Sequence, residues 1–443
     1  MRQTTVTRST QPEFGRCVAL VQPMRSTTQI SPGKLLLLGL LTACALPAQK
    51  EPASAAERLA PQTRAEEIDL EREQKAGQLR PDTPTGIEHV LNVIEEKKIV
   101  ERVIGSAGGL RLKLGGLITG SGFAAGPEYY RPDLLYGQMR FRGSVRGSLR
   151  KFTLTDMELN FPRLADNRVF VDLYAVHRDY PHIDYYGPGA GSAKSGRSAF
   201  TLEDTAFQTT AGVKPVEHLR LGVQGNYLLV NVGPGRDSRF ISADGVFSEA
   251  TTPGIQVQTN FLEGGGFVEY DWRDYPGEPR RGGKYLARFT SYDDIERGLF
   301  SFSRLDLEVQ QYFGFFNQRR VLALRGRVEA TDPHAGQQVP FYLQPTLGGS
   351  EDLRGFRPFR FYDNNAAVLN GEYRWEVFSG LDMALFVDAG RVFHDWHQIN
   401  FRELETDYGF GFRFNVRNNV FLRIDTGFSR EGFQVWFKFN NVF

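Results

Sequence analysis

Few residues in this sequence have the types and spacing that catalysis needs, and they do not form a recognisable site. His394 and His397 lie three residues apart near a predicted turn, but no pattern of carboxylate partners accompanies them, so a surface position explains them better than a metal site. The seven histidines are too scattered to indicate a Ser–His–Asp constellation. The Gly-rich stretch before Lys194 resembles a phosphate-binding loop, yet Ala193 stands where that motif requires glycine. We therefore predict no cofactor and no enzymatic activity.

The elements that must position the polar side chains are β-strands. In residues 408–416 every even position is large and apolar, and every odd position is Gly, Arg or Asn. The same two-residue alternation recurs in residues 219–226, 305–310, 322–329 and 420–425. Because successive strand residues point to opposite faces, each segment has one apolar face and one face of charged or amide groups.

Two all-β architectures fit this alternation: a soluble sandwich with a protein core, and a membrane barrel with lipid outside and a wet lumen inside. Alternating segments continue through residues 106–443 with no second type of domain, which is long for one sandwich. The apolar faces are rich in Phe and Tyr, as in the aromatic girdles of membrane barrels. Both charge signs lie on the inferred inner faces, whereas a lipid-facing Arg or Lys costs about 2–4 kcal/mol at the bilayer midplane.

We therefore predict a closed antiparallel transmembrane β-barrel, located in the bacterial outer membrane and surrounded by its lipid. The segments suggest about fifteen strands, which an even-numbered closed barrel would make fourteen or sixteen. Closure is required because lipid offers no partner for an unpaired backbone N–H or C=O at a strand edge.

The overall composition excludes several other classes of protein. The chain has 53 basic and 52 acidic residues, so no basic excess indicates a nucleic-acid partner. No apolar run reaches the roughly 18 residues that a transmembrane helix needs. The two cysteines, Cys17 and Cys44, lie near the N-terminus, so the rest of the chain forms neither a disulfide nor a cysteine metal site.

The N-terminal residues 1–45 are predicted to be a secretory signal. Residues 35–46 are almost wholly apolar and follow Lys34, and this run is too short to span a bilayer. The residues before it are unusual for a signal, which suggests that Met24 is the true start. Two processing routes remain open: cleavage after small residues, or a lipobox that lipidates Cys44. Both routes take the chain out of the cytoplasm.

Three further segments follow the signal. Residues 46–85 are rich in Ala, Glu, Arg, Pro and Gln and are predicted to be a disordered periplasmic linker. In residues 86–104 aliphatic side chains recur at three- and four-residue spacing, which predicts a short amphipathic helix. Residues 105–443 then form the barrel.

Several segments, taken together and in order, resemble the barrel of the BamA/TamA superfamily, also called the bacterial surface antigen family. Residues 347–356 do not alternate like a strand, and they contain the segment that matches the family's Arg-Gly-Phe/Tyr loop motif: Leu353, Arg354, Gly355 and Phe356. The stretch 185–189, with Arg197 and Phe200, is similar to a second family element. The alternating last strand, with Phe437, Phe439 and the terminal Phe443, is similar to the signal that the barrel-assembly machinery reads.

This resemblance implies a sixteen-stranded barrel whose sixth long extracellular loop folds back into the lumen. There the motif arginine, here Arg354, would pair with acids on the wall. Alternation independently places Glu372 and Asp388 on the lumen face of their strands. A guanidinium can bind two carboxylates in fixed geometry, Gly355 would allow a tight turn, and Phe356 would pack against the wall. We hypothesise that this cluster pins the loop.

The predicted first strand is crowded with glycines, which weaken a strand: Gly108, Gly109, Gly115, Gly116, Gly120 and Gly122. Two explanations remain open. In the family, the first and last strands meet at a seam that can loosen sideways, and a glycine-rich first strand would suit such a seam. The glycines could equally relieve crowding against the inserted loop.

The family's assembly and secretion members carry periplasmic polypeptide-transport-associated domains, and no such domain fits between the predicted signal and Ser106. The favoured function is therefore a barrel that translocates or inserts protein or lipid with a separate periplasmic helper protein. The alternatives are a porin-like passive channel, against which the lumen-filling loop argues, and an outer-membrane enzyme.

Overall fold

The computed structural model describes residues 108–398, 402–416 and 419–439, which form a nearly closed antiparallel barrel of sixteen strands. The predicted signal, linker and helix, together with Cys44 and Phe443, lie outside the described residues. No helix within the described ranges has the length and apolar character to cross a membrane. The prediction of an all-β barrel is confirmed, and the stacked-sheet alternative is wrong.

The described residues contain nineteen strands, numbered in chain order, and several short helical segments. The strands are β1 (Leu110–Gly115), β2 (Ala124–Asp133), β3 (Met139–Ser148), β4 (Thr153–Arg163), β5 (Val169–Tyr185), β6 (Ser198–Val213), β7 (Leu219–Pro234), β8 (Ile241–Ser242), β9 (Phe261–Asp271), β10 (Gly282–Asp294), β11 (Phe302–Phe315), β12 (Arg320–Pro333), β13 (Thr346–Leu347), β14 (Phe361–Tyr362), β15 (Asn365–Phe378), β16 (Leu381–Phe393), β17 (Glu405–Val416), β18 (Asn419–Ser429) and β19 (Gly432–Phe439). The helical segments are Leu134–Gly137, Leu164–Asn167, Lys194–Gly196, Ala243–Gly245, Phe341–Leu343 and Trp396–Gln398.

All strands except β8, β13 and β14 form the barrel wall, and each is antiparallel to the next wall strand in the chain. Most connections at one end are short turns, such as residues 316–319 and 379–380. The other end carries long loops, including residues 235–260 and 334–364. Membrane barrels have short periplasmic turns and longer extracellular loops, so the long loops mark the extracellular end.

The two faces of the wall differ as the alternation predicts. On β11 the outward residues Leu305, Leu307 and Val309 are 38%, 38% and 49% exposed. Their neighbours Arg304 and Asp306 point inward and line a polar cavity in the lumen. The apolar side chains therefore form the outer surface, and the charged ones line the lumen.

The inserted loop, residues 334–364, crosses the lumen from one wall to the other. Near its start, Phe341 packs with Tyr185 and Phe200 of the β5–β6 wall. Farther along, Phe356 packs with Val368 and other side chains of the β15–β16 wall. Within the loop, β13 pairs with β14, Thr346 opposite Tyr362 and Leu347 opposite Phe361. A polar cavity of about 380 Å³ remains between wall strands in the lumen, and Tyr342 and Leu343 of the loop line a second cavity of about 240 Å³.

The barrel is incompletely closed at the seam, defined here as the junction of β1 and β19. No backbone ladder joins these two strands among the described residues. Gly115, the last residue of β1, lies beside Phe439, where a Cβ atom on the glycine would be 3.8 Å from that of the phenylalanine. The rest of β19, toward Gly432, therefore extends beyond the end of β1.

The prediction that glycines crowd the first strand is wrong in detail, because β1 is only six residues long. Gly115 alone lies in it, while the others precede it or belong to residues 116–123. Gly120 has a positive φ of 86°, and a Cβ atom there would lie 3.0 Å from Cγ of Pro358 in the inserted loop. Crowding against the loop therefore explains Gly120.

Candidate functional site

The structure places Arg354 in the lumen between the two carboxylates that alternation assigned to the inner wall. Its Nε and Nη2 atoms donate to the two oxygens of Asp388 at 2.7 and 2.8 Å, which makes the pair bidentate. Its Nη1 atom donates to Glu372 Oε2 at 2.7 Å. All three side chains are buried. A planar guanidinium fits this arrangement, whereas a lysine would offer only a point charge.

Further charged groups surround this arrangement. Glu372 also accepts hydrogen bonds from Arg374 Nε at 2.6 Å and from Arg413 Nη2 at 2.8 Å. Arg413 Nη1 donates to Asp425 Oδ1 at 2.5 Å, and Asp425 Oδ2 lies 3.6 Å from Arg354 Nη1. Charges of opposite sign thus alternate across four strands, which offsets the large cost of removing each from water.

The inward face of β16 also supplies an aromatic contact. The guanidinium carbon of Arg354 lies 3.5 Å from the centre of the Phe386 ring. Asn370 donates from Nδ2 to Asp388 Oδ1 at 2.8 Å and to the Asp352 carbonyl at 2.7 Å. The wall therefore holds both the motif side chain and the backbone beside it.

Gly355 serves a different purpose from the one expected. It does not have a positive φ, so no special turn requires it. Instead, a Cβ atom at this position would lie 2.6 Å from Cβ of Asp407 and 2.9 Å from the carbonyl carbon of Phe428. Gly427 is its counterpart, because a Cβ atom there would lie 2.5 Å from the carbonyl carbon of Arg354. Two glycines thus let the loop backbone contact the wall directly.

The loop is also bonded to β18 and β19, next to the seam. Trp436 Nε1 donates to the Arg354 carbonyl at 2.7 Å, and Ser429 Oγ donates to the Gly355 carbonyl at 2.8 Å. Lys438 Nζ lies 2.7 Å from Glu351 Oε1. The inward face of the last strand is therefore attached to the inserted loop.

We expect Trp436→Phe to destabilise the barrel by about 1 kcal/mol, because it removes the hydrogen bond to the Arg354 carbonyl and keeps an aromatic ring. The midpoint of urea unfolding, followed by heat-modifiable gel mobility, measures this change. Trp375→Phe is the matched control, since Trp375 stacks on Tyr373 with ring centres 5.8 Å apart and its indole donates no hydrogen bond to any residue that the structure describes. Equal shifts for both variants would contradict the assignment.

The second predicted element lies beneath the extracellular loops and contacts the inserted loop. Tyr185 is fully buried against Tyr362, with ring centres 4.9 Å apart. The Gly189 N–H donates to the Tyr362 carbonyl at 2.6 Å. Arg197 Nη2 donates to Asp184 Oδ2 at 2.8 Å. Phe200 packs in the same cluster. The two family elements therefore meet each other.

The remaining predicted residues lie elsewhere. Leu353 is buried with Phe356, Phe437 is 61% exposed on the outer surface, and Phe439 packs on Phe123 with ring centres 5.6 Å apart. His394 Nδ1 lies 3.2 Å from Asp363 Oδ1, and burial raises the pKa of that carboxyl. Within the described ranges, no group of three His, Cys, Asp or Glu is arranged to hold a metal ion.

Sequence reasoning missed the parts of the site that β17–β19 contribute. Alternation places Arg423 and Asp425 on an inner face, but nothing local indicates that Asp425 belongs beside Arg354. Gly427 and Trp436 carry no signal of their own, because their partners are backbone atoms of the distant loop.

The comparisons with known proteins agree with this geometry. Residues 168–428 match the Omp85 superfamily domain. The fold is similar to BamA from Haemophilus ducreyi lacking POTRA domains 1–3, with a TM-score of 0.57 and 13% identity over 75% of this chain and 70% of that one. It is also similar to CdiB from Escherichia coli, with a TM-score of 0.51 and 12% identity over 75% of this chain and 62% of that one. No curated protein matches the sequence. The resemblance to BamA/TamA barrels is confirmed, and the chain belongs to the Omp85 superfamily.

Proposed function

We propose that this protein inserts or translocates a polypeptide or lipid at the bacterial outer membrane, together with a separate periplasmic partner. The observation that carries the proposal is the seam, where β19 extends beyond β1 and no ladder joins the two strands. Every other neighbouring pair of wall strands is joined by backbone hydrogen bonds. An unpaired strand edge is costly in lipid. The seam is therefore where a client, meaning the polypeptide or lipid that is inserted or translocated, could enter or leave the barrel wall.

The position of the inserted loop favours a route sideways through the seam rather than a route along the lumen. It contacts the β5–β6 wall through Phe341 and the β15–β16 wall through Phe356, so it obstructs a straight aqueous path. A wide porin-like channel would need this loop to leave. Large, steady conductance in planar bilayers would favour the porin and count against the proposal.

A disulfide across the seam tests the proposal directly. The 3.8 Å separation at Gly115 and Phe439 suits a disulfide, whose Cβ atoms are about 3.8 Å apart. We expect oxidised Gly115→Cys/Phe439→Cys protein to fold but to lose its activity in cells that carry no other copy. Quantitative mass spectrometry of outer membranes should then show the same proteins or surface lipids depleted as in cells from which the gene for this protein has been deleted.

The reduced double variant is the matched control, because it carries the same substitutions, including the strained cysteine at the positive φ of Gly115. Reducing agent should restore the depleted components. If the disulfide forms completely and outer-membrane composition stays normal, the seam does not carry the activity. Crosslinking from residues 50–104 in intact cells, followed by mass spectrometry, tests for the periplasmic partner; recovery of the barrel alone would remove the partner from the proposal.

A further inference from the structure

A cavity of about 600 Å³ lies at the seam, between β19, residues 116–123 and the inserted loop. We call it the seam cavity. Both inward residues of β19, such as Trp436, and outward residues, such as Phe437, line it. A cavity that both faces of one strand line must pass around the edge of that strand, so it connects the barrel interior with the outer surface.

The part of the seam cavity on the outward face of β19 is apolar, whereas Gln434 and Lys438 line it on the inward face. Phe123, Val435 and Phe437 line the apolar part, and all three are more than one-third exposed. Phe123 and Phe439 form an edge-to-face aromatic pair at its base. These side chains point toward the membrane, so an acyl chain could continue from bulk lipid into the cavity without contact with water.

The part beneath the extracellular loops is basic. Arg150, in the short β3–β4 connection, and Arg357, in the inserted loop, both line the cavity. Arg150 bonds a backbone carbonyl and Arg357 lies beside the Tyr186 hydroxyl, and neither arginine forms an ion pair with a carboxylate among the residues that the structure describes. Arg197 also lines it but is paired with Asp184. The cavity therefore combines two uncompensated guanidinium groups with an apolar wall.

The geometry brings the two arginines close to the same backbone. Arg150 Nη1 donates to the Gly120 carbonyl at 2.7 Å, which fixes one edge of its guanidinium. Gly120 also faces Pro358, the residue after Arg357, where a Cβ atom would lie 3.0 Å from the proline ring. Arg150 and the segment that carries Arg357 therefore both contact Gly120.

We infer that the seam cavity binds a phosphorylated lipid of the extracellular leaflet, with its phosphate on Arg150 and Arg357 and an acyl chain along Phe123 and Phe437. Guanidinium groups bind phosphate through paired charge-assisted hydrogen bonds. The arginines lie in extracellular connections, so the matching headgroup belongs to the outer leaflet. This inference rests on the outer-membrane location in the proposed function. The bound lipid would cover the free edge of β19 while no client is present.

The test is native mass spectrometry of the full chain in detergent micelles with lipid A, a phosphorylated and acylated disaccharide, as the probe. We expect one lipid A to bind, and Arg150→Gln/Arg357→Gln to weaken binding about tenfold or more, since two charged hydrogen-bond donors are lost. Lipid A without its phosphates should bind the unaltered protein as weakly. Arg163→Gln/Arg168→Gln, which removes the same charge at the periplasmic end, should leave binding unchanged.

Three results would overturn the inference. The first is equal lipid A binding by the arginine variant and the unaltered protein, and the second is equal binding of phosphatidylglycerol and lipid A. The third is that a peptide with the sequence of residues 432–443 binds the protein whereas lipid A does not. The last result would assign the cavity to a β-strand. Heat-modifiable mobility and outer-membrane fractionation are measured on the same preparations. If both are normal while lipid A fails to bind, the lipid site is wrong and the proposed function stands.

Discussion

Replacing Arg354 with alanine is expected to destabilise the barrel by about 3–5 kcal/mol, the usual cost of leaving buried charges without their partner. The change would leave Asp388 and Glu372 facing each other in the lumen, with Arg413 and Arg374 able to compensate Glu372 alone. The midpoint of urea unfolding and the fraction of heat-modifiable protein in outer membranes measure the effect.

One variant separates the geometry of Arg354 from its charge, and a second controls for the loss of an arginine. Arg354→Lys keeps the charge but not the bidentate contact with Asp388, so we expect it to recover only part of the lost stability. Arg239→Ala is the control for removal of an arginine, because Arg239 is exposed and pairs with the nearby Asp237. If Arg354→Ala unfolds at the same urea concentration as Arg239→Ala, the cluster does not pin the loop.

The second large effect is expected at the paired glycines. Gly427→Ala would place a Cβ atom 2.5 Å from the carbonyl carbon of Arg354 and 2.7 Å from the nitrogen of Gly355. Both obstacles are backbone, so the loop must move away from β18 and the Arg354 pairs must lengthen. Forced overpacking of this kind costs about 1–3 kcal/mol, and loss of the ion pairs adds to it.

Protease sensitivity of the inserted loop, measured on intact cells, distinguishes this displacement from general unfolding. We expect Gly427→Ala to expose a cleavage site in residues 334–364 while the barrel remains heat-modifiable. Gly264→Ala is the matched control, since Gly264 also lies in a wall strand and a Cβ atom there meets nothing within 4 Å. Identical protease patterns for the two variants would refute direct contact between loop and wall.

Much of the wall could be predicted, because successive side chains in a strand point to opposite faces. The direction of a side chain therefore depends only on parity, that is, on whether its position is odd or even. Parity was enough to place Glu372 and Asp388 in the lumen, and the structure brings both to Arg354. The strand count was harder, because β1 alternates but has only six residues, fewer than the segments of about ten that the alternation shows elsewhere. A closed membrane barrel has an even number of strands, and the family resemblance implies sixteen. Together these two arguments raised the count from about fifteen to sixteen.

The contacts between the loop and the wall could not be predicted, because the inserted loop has no period. Gly355 illustrates the difficulty: glycine suits both a left-handed turn and close backbone approach, and only the fold distinguishes these uses. Asp425, Gly427 and Trp436 are functional only through a segment about 70 residues or more earlier in the chain.

The attachment of the loop to strands made after it sets an order of events during biogenesis. Arg354 is synthesised before Asp388, Asp425 and Trp436, yet it reaches all three in the finished barrel. A nascent or truncated chain that lacks β16–β19 offers this guanidinium only Glu372 of β15 and lacks Asp388, Asp425 and the backbone that receives Gly355. The loop can therefore make its full set of contacts only after the C-terminal strands are in place, so a fully bound loop marks a barrel in which these strands have folded.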